Sequence, residues 1–182
     1  MKNMHNPLQN SWKLILNIGL FQAGWFACLL LPIGWSLGIV IAVLVTHFSV
    51  VVPHAKRGSE CLLIGSVLIV GVLIESFYLW SHALVLVDGS SLPPIWLLFI
   101  WLLFATTFRY SLEWLRPKLI LAAIFAGIAA PMSYLAGANL NASVSLNENI
   151  GFSLFLIGGS WAIAFPLMMR QFVSLANIND EE

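Results

Sequence analysis

The sequence predicts an all-α, polytopic membrane bundle of six transmembrane helices with both termini cytoplasmic, on three observations. Of 182 residues, 60% are hydrophobic and only 9% charged, with a mean hydropathy of +0.92. Soluble domains are about 25% charged, so this chain lacks the polar surface to face water on all sides. Six stretches approach the roughly 20 apolar residues that cross a hydrocarbon layer about 30 Å thick. Basic residues then fall only in alternate connections, the pattern of a positive-inside protein.

In order, the predicted spans are 14–31, 33–52, 61–80, 94–112, 119–138 and 150–169, leaving no room for a soluble domain in residues 1–182. The first is too long for a secretory signal core and lacks a small-x-small cleavage box, so it reads as a retained helix. Lys2 and Lys13 precede helix 1, Lys56 and Arg57 join helices 2 and 3, Arg116 and Lys118 join helices 4 and 5, and Arg170 follows helix 6. The connections near Pro32, at 81–93 and at 139–149 contain no Lys or Arg and are expected outside. Helices 5 and 6 are rich in Gly and Ala, which let backbones approach closely, and are expected at the bundle centre. Pro131 and Pro166 are expected to kink or break these helices. Residues 177–182 form a short acidic tail. Cys28 and Cys61 make neither a disulfide framework nor a metal spacing.

Polar residues at membrane depth point to function. Glu75 lies fourteen residues into helix 3, about 21 Å along it. A carboxylate at such depth is usually protonated or paired inside the bundle. Helical spacing places Gly71, Tyr78 and His82 on its face. Gly71 leaves space beside the acid, and Tyr78 and His82 lead outward. Ser133 and Tyr134 of helix 5 share that leaflet, so Glu75, Tyr78, His82, Ser133 and Tyr134 are the candidate ligand-binding residues. A second polar cluster is expected toward the cytoplasm, from Asn17, Gln22, His47 and Arg109. There Arg109 can snorkel and form a ladder with Glu113 and Arg116, or bind an anionic headgroup. No nucleophile elbow, HExxH or phosphate loop is present, and Ser133 and His47 lie toward opposite leaflets. No catalytic residue, metal site or cofactor is therefore expected.

The stretches LNIGLFQAGWFACLL, PPIWLLFIWLLFATTFRYSLEWL and APMSYLAGANLNA, with the acid late in helix 3, carry a further signal. Together they resemble a family of small six-helix bacterial inner-membrane proteins of unknown function, often encoded near photolyase-like and fatty-acid-modifying genes. The resemblance implies the bacterial cytoplasmic membrane as location and lipid physiology as context. The helix-3 acid of that family is usually Asp, which makes Glu75 a one-methylene variant.

The leading expectation is binding or transport of a small molecule or lipid through an outward-opening polar pocket around Glu75. A non-catalytic scaffold for a lipid-modifying system is the alternative. A third is the substrate-binding subunit of an energy-coupling-factor transporter, suggested by the small pair Ala23 and Ala27. Expected partners are membrane lipids, a small-molecule ligand and a protein partner in the membrane. Nucleic acid is not expected, given a net charge of zero.

Overall fold

A computed structural model describes residues 7–179, so Lys2 and the last three acidic residues lie outside the described part. Six α-helices dominate: α1 (Pro7–Leu30), α2 (Ile33–Thr46), α3 (Arg57–Trp80), α4 (Ile95–Ala105), α5 (Leu119–Leu140) and α6 (Ile150–Asn179). Two three-residue strands, β1 (Leu84–Leu86) and β2 (Val144–Leu146), complete the fold. Among the described residues, five helical stretches are long and apolar enough to cross a membrane: 11–30, 33–51, 54–80, 119–140 and 150–176.

The predicted fourth span is corrected. α4 has only 11 residues, a rise of about 16 Å, and ends at Ala105 rather than at 112. The cause is local. Thr106 and Thr107 turn their hydroxyls back onto the carbonyls of Leu103 and Phe104, each at 2.6 Å. Such bonds offer the backbone an alternative to continuing the helix. Turns follow to a short 3-10 segment, Glu113–Leu115. Non-helical backbone among apolar helices needs partners, and Asn17 of α1 supplies them. Its amide donates to the Thr106 carbonyl at 3.0 Å, while its Oδ1 accepts from the Ser111 hydroxyl at 2.7 Å and the Ser111 N–H at 3.3 Å.

Neither Pro131 nor Pro166 interrupts its helix, and α6 runs through 179, into the predicted tail. The carbonyl that Pro131 frees, four residues back, is that of Gly127. Gly158 of α6 packs against it so closely that a Cβ there would stand 2.8 Å from the Gly127 oxygen. This small-residue crossing holds α5 on α6, but α5 is not central. It is the least enclosed of the five long spans, with 17% of its residues buried against 39% for α3. Ile120, Ile124, Ile128 and Met132 stay exposed on its outer side. The shared core lies between α3, α4 and α6, around Val67, Trp101, Phe108, Ile157 and Phe165.

α2 packs on α1, where the Ser36 hydroxyl donates to the Ala27 carbonyl at 2.9 Å. Ala27 is thus buried while Ala23 is exposed, so this small pair is not one free docking face. A π-helical turn, His47–Val51, ends α2. At the other end of the bundle β1 and β2 pair antiparallel, Leu84 with Leu146 and Leu86 with Val144, joining the α3–α4 and α5–α6 connections. Both connections read as plain loops in the sequence. Leu84 and Leu86 are buried and Val85 exposed, the period-2 pattern of a half-covered strand.

Candidate functional site

Glu75 is wholly buried on the face of α3 that meets α4 and α5. Trp101 of α4 donates its indole N–H to Glu75 Oε1 at 2.8 Å, and the Tyr134 hydroxyl of α5 donates to the same oxygen. Oε2 has no hydrogen-bond partner. The indole reaches the acid because Gly71, one turn earlier on α3, has no side chain. A Cβ at Gly71 would stand 2.4 Å from the Trp101 ring. Trp101 is held on its other side by Trp161 of α6, with ring centres 5.1 Å apart and planes 20° from parallel. Gly71→Ala is therefore expected to drive the indole off Glu75 and lower stability by about 1–3 kcal/mol, the usual range for overpacking. A red-shifted tryptophan emission with a lower melting temperature would show it; an unchanged spectrum would mean the indole is not wedged there.

A cavity of about 500 Å³ opens beside this group. α1 and α5 form its sides through residues such as Phe21, Trp25, Ala130 and Ser133, while α4 and α6 form its back with Trp101 and Phe165. Ten of its 27 lining residues are aromatic, and Glu75 is the one carboxylate among them. At the β1–β2 end the Asn141 amide ties the end of α5 to α1, donating to the Leu29 carbonyl at 3.3 Å. Toward the opposite end, Ile18 and Phe125 stand at its rim, 44% and 46% exposed. Exposed lining residues thus lie on α1 and α5, whereas Tyr78 and His82 of the stripe that leads from Glu75 are not among the lining residues.

Of the five candidate ligand-binding residues, Glu75, Ser133 and Tyr134 line this cavity. Tyr78 does not. It is buried behind, its hydroxyl paired with Ser160 Oγ and its ring edge-on to Tyr134 at 5.6 Å. His82 lies outside as well, because α3 ends at Trp80 and the helical spacing stops with it. His82 takes a left-handed φ of 56° in the following turn, is exposed, and its carbonyl accepts from the Asn147 amide at 3.0 Å.

The four residues of the second expected cluster separate into three places. Asn17 serves the turn after α4, and Gln22 stands at the cavity wall. His47 and Arg109 do meet, through an acid that the sequence reading did not single out. Glu60, in the first turn of α3, is fully buried and lies 2.9 Å from His47 Nε2 and 3.6 Å from Arg109 Nη1. Arg109 Nη1 also donates to Ser59 Oγ at 2.8 Å, and His47 meets the Tyr110 ring edge-on at 5.3 Å. The expected Arg109–Glu113 ladder does not form, since the helix has already ended. Glu113 pairs with Arg116 instead, at 3.3 Å. The group thus joins the end of α2, the start of α3 and the segment after α4. Arg57-Gly-Ser-Glu60, an acid set just inside a basic connection, is the signal that could have found it.

The family described as "protein of unknown function (DUF2878)" matches residues 14–167. No curated protein and no solved structure matches the chain.

Proposed function

We propose, on the premise that the chain belongs to the DUF2878 family of proteins of unknown function, that it is a multi-pass membrane protein that binds a small molecule or lipid in the cleft beside Glu75. The bacterial inner membrane is its expected location, with both termini on the cytoplasmic side where the basic connections lie. One observation carries the binding reading. A fully buried carboxylate, with one oxygen doubly bonded to donors and the other unpartnered, lines an apolar cavity of about 500 Å³. An isolated acid near a bilayer centre costs about 2.5–3.5 kcal/mol on insertion scales, and acids found there usually serve a pathway or a ligand. The volume falls in the range of about 300–1,000 Å³ typical of small-molecule sites.

Native mass spectrometry of protein extracted with its own lipids tests this, wild type beside Glu75→Gln. The Gln amide oxygen can still accept from Trp101 and Tyr134, so the variant keeps the packing and removes only the acid. A discrete bound molecule in the wild type, lost in Glu75→Gln, is the expected result. Identical spectra with bulk lipid alone would overturn the reading. They would favour instead a scaffold, in which Glu75 is a clasp between α3, α4 and α5. The two internal bonds at Oε1 are the observation on that side.

A further inference from the structure

The chemistry lining the cleft points beyond binding in general to a class of ligand; this step rests on the function proposed above. We infer that the cleft takes a lipophilic ammonium ion, a protonated amine on an apolar body, with an N–H seated on Glu75 Oε2. Three features converge. First, the acid is offered donors only at Oε1, from Trp101 and Tyr134, which leaves Oε2 as an unfilled acceptor in a buried setting. Second, among the described residues no Lys, Arg or His lines the cavity. A carboxylate or phosphate ligand would face Glu75 with nothing to neutralise it, whereas an ammonium brings the opposite charge. Third, the walls nearest the acid are aromatic, with Tyr134 and Phe104 among the cavity's lining residues. Trp101 stacks on Trp161, and Phe104 stands edge-on to Trp161 at 5.3 Å. Aromatic rings attract cations through their quadrupoles, most strongly where water is excluded.

Two of the other polar liners are already engaged. The Thr107 hydroxyl is spent on the Phe104 carbonyl and that of Ser111 on Asn17. Ile18 and Phe125 offer a ligand body dissolved in lipid an apolar approach to the cleft, beside the polar Gln22. Charge balance then sets the exchange. A protonated Glu75 gives up its carboxyl proton as the ammonium binds, and the carboxylate–ammonium pair takes its place. The titratable groups facing Glu75 are Tyr78 from its own helix and Tyr134 from α5; α4 and α6 present Trp101 and Trp161, which do not titrate.

The test compares 4-phenylbutylamine with 4-phenylbutanol, the same body without the charge, on the full chain in phosphatidylcholine nanodiscs. Calorimetry in buffers of different ionisation enthalpy reads affinity and proton release together. The wild type is expected to bind the amine about tenfold or more tighter than the alcohol. A proton should be released only with the amine, and Glu75→Gln should lose both effects. The amine–alcohol comparison needs no variant, so it stands even if Glu75→Gln folds poorly. Equal affinity of the two probes would overturn the ammonium assignment while leaving small-molecule binding intact. No binding of either, together with native spectra showing only bulk lipid, would overturn both. Adding phosphatidylethanolamine separates two sources of the same chemistry. Competition with the amine assigns the site to an aminolipid headgroup, and its absence assigns it to a free lipophilic amine.

Discussion

Glu60→Leu is expected to destabilise the protein by about 3–5 kcal/mol, the cost of breaking a buried ion pair from one side. Glu60 has no exposed surface and Arg109 is 6% exposed in its side chain, so the arginine charge cannot turn to solvent without opening the bundle. His47, equally buried, loses its 2.9 Å partner in the same step. Three separate pieces of the chain part company, so the loss should appear as a lower unfolding midpoint in mixed micelles. The double variant Glu60→Leu with Arg109→Met discriminates pairing from packing. Removing both charges should recover much of the loss, because well-packed apolar residues often replace a buried pair at little cost. A single variant within about 1 kcal/mol of wild type would mean that the cluster is hydrated and not a joint at all.

Asn17→Leu should cost nearly as much. The substitution strips the Thr106 carbonyl of a 3.0 Å donor, and the Ser111 N–H and hydroxyl of their acceptor. An unsatisfied buried group costs about 1–3 kcal/mol, so the loss should reach roughly 2–5 kcal/mol. Asn17→Asp should fall between, since it can still accept from Ser111 but cannot donate to Thr106. Hydrogen exchange across 106–112 is the direct measurement, with protection expected to collapse there first. Unchanged exchange in Asn17→Leu would show that the turn satisfies itself.

Much of the architecture is legible in residue chemistry because apolar runs of span length have few other solutions. Pattern alone places α3 and α5 within a few residues of where they lie, and the second span reaches its expected end only by way of the π-helical turn after α2. Glu75 stands out as an acid in an apolar run, and Gly71 marks the space beside it, though not that an indole fills it. Trp residues gather at membrane interfaces as a rule, yet Trp101 is buried in the bundle, where it meets an acceptor. That acceptor belongs to another helix, and pairing between helices leaves no local trace. The break after Ala105 was hidden for a different reason. The strongly apolar run before Thr106 carries residues 106–112 along as the end of a span, and what stops it is two threonine hydroxyls reaching back three residues, supported by an asparagine 89 residues away. Glu60 was masked by its neighbours, since an acid beside Lys56 and Arg57 reads as surface charge. The π-helical turn at His47, which ends α2 where His47 meets Glu60, likewise has no periodic signature.

The broken fourth helix also carries a meaning for how the chain is made. The stretch 94–112 is long and apolar enough to settle as a straight helix, and its folded form depends on Asn17. Synthesis runs from the amino end, so α1 is complete before Ala105 leaves the ribosome, and the later segment meets a partner already waiting. A rearranged chain that began at α4 would contain every contact of the finished protein and yet present that stretch with its threonine bonds alone and no Asn17 to satisfy the turn. Birth order, in this molecule, does part of the work of folding.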